Sequence, residues 1–144
     1  IPTPLMVGTS ELRDQLLNEP EVQRVMNMAQ IADIAMVGIG SLMPSTEFED
    51  FGYKSQKELD RLKKHGAIGQ MHGEYFNAVG EPLELEHHHR LISIRLETLR
   101  KMKHVVGVAG GSDKIEALQA ALKGGFIHSL ITDEATARVL ITSS

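Results

Sequence analysis

The second half of this chain alternates in a way few folds allow. "HVVGVAGG" (104–111) and "FIHSLIT" (126–132) are short, nearly unbroken apolar runs, the pattern of strands buried on both faces. "DKIEALQAALKGG" (113–125) and "DEATARVLI" (133–141) carry apolar residues at helical spacing. Strand, helix, strand, helix in this order predicts βαβ units on a parallel sheet, an α/β domain of Rossmann-like type. "DIAMVGIG" (33–40) reads as a further strand of that sheet. Val37, Ile39, Val106, Val108, Leu130 and Ile131 are expected in buried parallel strands. Ligands of such sheets bind beyond the carboxyl ends of the strands. The junctions there are "GIGS", "GAIGQ", "AGGSDK" and "TDEAT".

The rest reads as shorter elements. "TSELRDQLLNEPEVQRVMNMAQIA" (9–32) holds two helices, one capped by Thr9 or Ser10 with Leu12, Leu16 and Leu17 on its apolar face, the other begun by Pro20. "SQKELDRLKKHG" (55–66) is a helix capped by Ser55, with Glu58 completing a capping box and Gly66 ending it. "AIGQMHGEYFNAVGEPLEL" (67–85) gives strand pieces around a turn, and "RLISIRLETLRKM" (90–102) a strand and then a short helix.

Composition excludes several classes. With 144 residues, 42% of them hydrophobic, the chain supports one domain with a core. It has no Cys, so disulfides and thiolate metal sites are out, and a cytoplasmic home is expected. No apolar run reaches membrane-spanning length. A net charge of −4 argues against a nucleic-acid surface on this stretch. The start at Ile1, without Met, suggests a piece of a longer chain.

The strongest motif is "AGGSDK". Gly110 and Gly111 allow positive φ and close approach of a ligand, and Ser112 is placed to cap the helix. Lys114 sits where its charge opposes the helix dipole, which an anion at that point would explain. A plain turn with a solvated Lys114 fits equally well. "VGIGS" offers Gly38 and Gly40 as a second nest or as a tight strand exit. Met43 stands where a dinucleotide fingerprint needs its third glycine. Asp133, in "TDEAT", suits a helix cap and secondarily a sugar hydroxyl. "LEHHHR" (85–90) reads as a solvated loop with no metal, because adjacent side chains diverge. No cofactor motif and no catalytic carboxylate pair is evident.

Taken together, "ADIAMVGIGSL", "FGYKSQKELDRLKKHGAIGQMHGEYFNAVGEPL", "RLISIRLETLRKMKHVVGVAGGSDKIEALQAALKGG" and "LITDEATARVLI" resemble successive blocks of the sugar-binding domain of the sorbitol operon regulator (SorC) family. These are bacterial transcription regulators with an N-terminal helix-turn-helix. The resemblance implies a fold like that of glucosamine-6-phosphate deaminase and ribose-5-phosphate isomerase. It implies a phosphosugar effector, a dimer or tetramer, and contact with DNA only through a helix-turn-helix that has no counterpart here. Residues 1–144 then form the C-terminal part of an effector domain.

By the same resemblance Lys114 points into the effector pocket, and Gln70 and Asn77 stand where the family usually has carboxylates. An amide cannot be a general base, which favours a sensor over a sugar-phosphate isomerase or deaminase. Self-association is expected through helix faces such as the one bearing Leu59 and Leu62.

Overall fold

The computed structural model describes residues 1–42 and 56–142. Three parallel strands form the main sheet: β1 (Ala35–Gly38), β5 (Val105–Val108) and β6 (Ser129–Ile131), in the order β1-β5-β6. Gly38 lies level with Val108, and Val108 with Ile131. A smaller antiparallel sheet follows directly from β1. It joins β2 (Gly40–Ser41), β3 (Gly69–Met71) and β4 (Glu74–Phe76). The expected Rossmann-like α/β arrangement with parallel strands is present.

Among the described residues the α-helices are α1 (Ser10–Leu17), α2 (Pro20–Gln30), α3 (Gln56–Lys64), α4 (Leu96–Lys101), α5 (Ile115–Lys123) and α6 (Glu134–Thr142). Thr9 caps α1 by accepting from the Leu12 N–H at 3.2 Å, and Pro20 opens α2, where no N–H is needed. The expected cap Ser55 lies outside the described residues.

The main core packs one face of the parallel sheet. Val37, Ile39 and Val105 meet Leu118 and Ala121 of α5, Leu96 and Leu99 of α4, Phe76, Phe126 and Leu140. The opposite face is bare. Met36 is 69% exposed, Val108 42% and Ile131 55%, with Ile34 also exposed beside them. This corrects the expectation that Val108 and Ile131 are buried. An apolar run marks a strand that can be covered twice, but three strands with α5 and α6 supply cover on one side.

Other expectations change as well. Leu59 and Leu62 are buried within this chain, Leu62 against Leu42, Ala67 and Tyr75, so that face is not free for self-association. Helix α1 buries no residue, and its Leu12 is exposed. Residues 91–95 do not form a strand of a sheet. Instead Ile92 N–H donates to Leu5 O at 2.8 Å and Val7 N–H to Arg90 O at 3.1 Å, which pins the N-terminal segment.

The "EHHHR" run is a 3-10 helix (Glu86–Arg90) and not a solvated loop. His88 is buried, its ring stacked on Tyr75 with His87 edge-on to both. Among the described residues, no group of His, Asp and Glu is arranged to hold a metal ion, and no helix is long and apolar enough to cross a membrane.

The β3–β4 hairpin turns at His72 and Gly73, with φ of 53° and 86°. Two positive φ values define a type I′ turn, in which Asn is the preferred first residue. His72→Asn is therefore expected to stabilise the protein by about 0.5 kcal/mol. Thermal unfolding checks this. An equal loss would mean that the long contact of the His72 ring with Ile94 O, 3.4 Å, matters more than the turn.

Candidate functional site

The carboxyl ends of β1, β5 and β6 bring most of the candidate residues together. After β1 the chain passes Gly40, whose partner in the small sheet is Gln70. A Cβ on Gly40 would lie 2.5 Å from Gln70 Nε2, so the carboxamide rests on a surface that only glycine provides. Gln70 Oε1 accepts from Gly73 N–H at 3.2 Å. Its Nε2 has no acceptor among the described residues, which leaves an amide donor at the strand ends. Gly38 ends β1, and a Cβ there would meet open space.

After β5 come Gly110 and Gly111, then a 3-10 turn (Ser112–Lys114) that runs into α5. This loop is tied on both sides. Ser41 Oγ donates to Asp113 Oδ2 at 3.1 Å, joining it to β2. Gly111 N–H donates to Asp133 Oδ2 at 2.9 Å and to Thr136 Oγ1 at 3.0 Å, joining it to the start of α6. Among the described residues, the N–H groups of Gly110, Ser112 and Asp113 have no acceptor, and Lys114 Nζ has no carboxylate partner. Lys114 is the residue preceding α5, one step earlier than the first turn, and Ser112 does not cap that helix with its side chain.

Asp133 is engaged internally. Its Oδ1 accepts from Thr136 N–H at 2.8 Å, and its Oδ2 accepts from the Thr136 hydroxyl at 2.7 Å. These bonds hold its carboxyl below the usual value, the backbone of Thr136 contributing most. Asn77 lies away from the strand ends as a turn-builder. Its Oδ1 accepts from Val79 and Glu81 N–H, and its Nδ2 donates to Glu81 at 3.3 Å, a bond that an aspartate could not donate.

Three partnerships were not evident from sequence: Ser41–Asp113, Gly111–Thr136, and the buried Glu74, which pairs with Arg95 and accepts from Leu96 N–H at 2.6 Å. The D-x-x-T spacing of Asp133 and Thr136, a cap signature, is the signal that could have brought Thr136 to the site.

Residues 1–142 match the family described as "Putative sugar-binding domain". The chain belongs to this family. Transcriptional regulator LsrR of Enterobacter sp. (strain 638) is 40% identical over 144 residues, covering 98% of this chain and 45% of that protein. A DeoR family transcriptional regulator from Listeria monocytogenes superposes with a TM-score of 0.89 at 27% identity, over 96% of this chain and 56% of that one. Full-length sorbitol operon regulator SorC from Klebsiella pneumoniae superposes with a TM-score of 0.87, over 96% of this chain and 44% of that one. Its 24% identity speaks for the fold alone. This sugar-binding domain thus spans about half the length of the regulators it matches.

Proposed function

We propose that this sugar-binding domain chain is the C-terminal part of the effector domain of a transcription regulator. In this reading it senses a phosphorylated sugar in the cytoplasm and alters how a helix-turn-helix elsewhere in the longer protein engages operator DNA. The observation that carries the proposal is the "GGSDK" loop at the carboxyl end of the sheet. Among the described residues it combines N–H groups of Gly110, Ser112 and Asp113 that have no acceptor with a Lys114 ammonium that has no carboxylate partner. Such a set favours an anion. Gln70 Nε2 then donates to a sugar oxygen, Gly40 seats the Gln70 carboxamide, Gly38 leaves room for the ligand, and Asp133 borders the site. No metal or cofactor is required.

The ligand is sensed and not turned over. Gln70 has no basic atom for proton abstraction, and the Asp133 carboxylate is already the acceptor of three donors. Response to effector follows from its different affinity for two arrangements of a homodimer or homotetramer. The bare sheet face bearing Met36, Val108 and Ile131 is covered by the remainder of the effector domain, as the longer relatives would provide.

A thermal-shift screen of the intact protein against sugar phosphates tests the proposal, since a ligand of the native state raises the melting temperature. Lys114→Met is then expected to weaken the effector found by about tenfold to a hundredfold, the loss of one charge-assisted hydrogen bond. The unliganded fold should be unchanged or slightly steadier, because a cation at a helix start is unfavourable. Equal affinities by calorimetry would make Lys114 a solvated surface lysine, and turnover of the sugar would make the protein an enzyme.

A further inference from the structure

Among the described residues, the N–H groups of Gly110, Ser112 and Asp113 find no acceptor, whereas the Gly111 N–H between them is held, and this bears on what both glycines are for. We propose that Asp133 and Thr136 are positioning residues: they draw the Gly111 N–H away from the ligand and thereby fix the loop that presents Gly110, Ser112, Asp113 and Lys114. This rests on the reading of that loop as an anion site.

Three atoms close a ring of hydrogen bonds. Gly111 N–H donates to both Asp133 Oδ2 and Thr136 Oγ1, and the Thr136 hydroxyl donates back to Asp133 Oδ2. Thr136 is 2% exposed, so the ring is anchored in the body of the domain. Asp133 also caps α6 through Thr136 N–H. Loop and helix start are therefore one unit.

The ring accounts for both glycines. Gly111 has φ 112° and ψ 144°, a backbone region that side chains rarely enter. A Cβ on Gly110 would lie 2.3 Å from Asp133 Oδ2. The sequence suggests glycines kept open for a ligand. The geometry assigns Gly110 first to the space beside Asp133 and Gly111 to the backbone turn that brings its N–H to the ring, and the ligand meets the neighbouring N–H groups that result. Asp133 then acts through the backbone and need not touch the effector.

Three variants of the intact protein separate this from a general structural role. Asp133→Asn keeps an oxygen for the Thr136 N–H, and Asn is as good a cap as Asp. It places an NH2 group where two donors now converge, which breaks the ring. Thr136→Val keeps the shape and removes the hydroxyl, while Thr136→Ser restores it. Amide exchange of Gly111 is read in protein labelled with 15N-glycine, and binding is read by calorimetry with inorganic phosphate and with the sugar phosphate selected by the screen.

In Asp133→Asn and Thr136→Val, Gly111 exchange is expected to rise by about tenfold or more. Affinity for both probes should fall about tenfold, with Thr136→Ser close to wild type. An unprotected Gly111 in wild type overturns the proposal. So does unchanged affinity in the two disruptive variants, or a Thr136→Ser loss equal to that of Thr136→Val, which would point to packing. If wild type binds neither probe, the anion-site reading fails, and Gly111 exchange alone then decides whether the ring exists.

Discussion

Gly80→Ala is expected to destabilise the protein by on the order of 4 kcal/mol and to lower its melting temperature by roughly 10 °C. Gly80 closes the turn that Asn77 builds, with φ 79°. A side chain at this φ costs about 1 kcal/mol or more by itself. The larger part comes from packing. A Cβ would lie 2.4 Å from the backbone of Gly124 and 2.5 Å from Ala120 O, and backbone cannot rotate aside as a side chain can. The turn must therefore lift off the end of α5.

That movement breaks a clamp. Arg100 donates to Gly80 O at 2.6 Å and to Gly124 O at 2.7 Å, with its guanidinium 4.6 Å from the centre of the Phe126 ring. Charge-assisted bonds of this kind contribute roughly 1.5–3 kcal/mol each. Urea unfolding of wild type and variant measures the loss. A change below about 1 kcal/mol would mean that the turn shifts freely and that Arg100 does not tie it.

Acid should weaken the protein through His88. This histidine is 3% exposed, and its pKa is lowered to about 4. Burial is the main cause, followed by the positive charge of His87 and Arg95, against a hydrogen bond to the backbone of Leu83 that favours the charged form. Above the unfolded value of about 6.5, His88 is neutral in both states and stability is complete. As pH falls below that, the unfolded chain takes up a proton that the native state refuses, and stability drops until the folded value near 4 is reached.

The loss is roughly 2 kcal/mol at pH 5 and about 3 kcal/mol once both states are protonated. His88→Gln can still accept from Tyr75 N–H and does not titrate. The stability difference between wild type and His88→Gln should be constant from pH 7 to 8 and shift by roughly 2 kcal/mol toward the variant at pH 5. Parallel curves across that range would show that the site opens to water before it titrates.

Much of the frame was legible. Apolar runs identified β1, β5 and β6 as parallel strands, and Pro20 and Thr9 marked helix starts through local chemistry that the fold preserves. Failures came where the outcome depends on a distant partner. Val108 and Ile131 read as buried because a run of apolar residues says how many faces can be covered, not how many are. Three adjacent histidines suggested a polar loop, yet packing on Tyr75 buries the middle one.

At the candidate site, Gly110, Gly111 and Lys114 were visible as unusual residues at strand ends, and Asp133 as a helix cap. Their division of labour was not. Gly111 and Thr136 are 25 residues apart, and only the folded chain shows that one hydroxyl and one carboxylate hold the same N–H.

The bare face of the parallel sheet has a consequence for cooperativity. Strands β1, β5 and β6 are hydrogen-bonded to one another, and one side of the sheet rests on a full core. On the proposed reading, the exposed Met36, Val108 and Ile131 of the other side join a second core whose remaining half comes from the rest of a longer regulator. One set of strands would then belong to two hydrophobic interiors at once. Heat that loosens either interior loosens the strands shared with the other. In a longer regulator the two layers would melt as one unit, and a substitution in the covering layer would reach the "GGSDK" loop through the strand that leads into it.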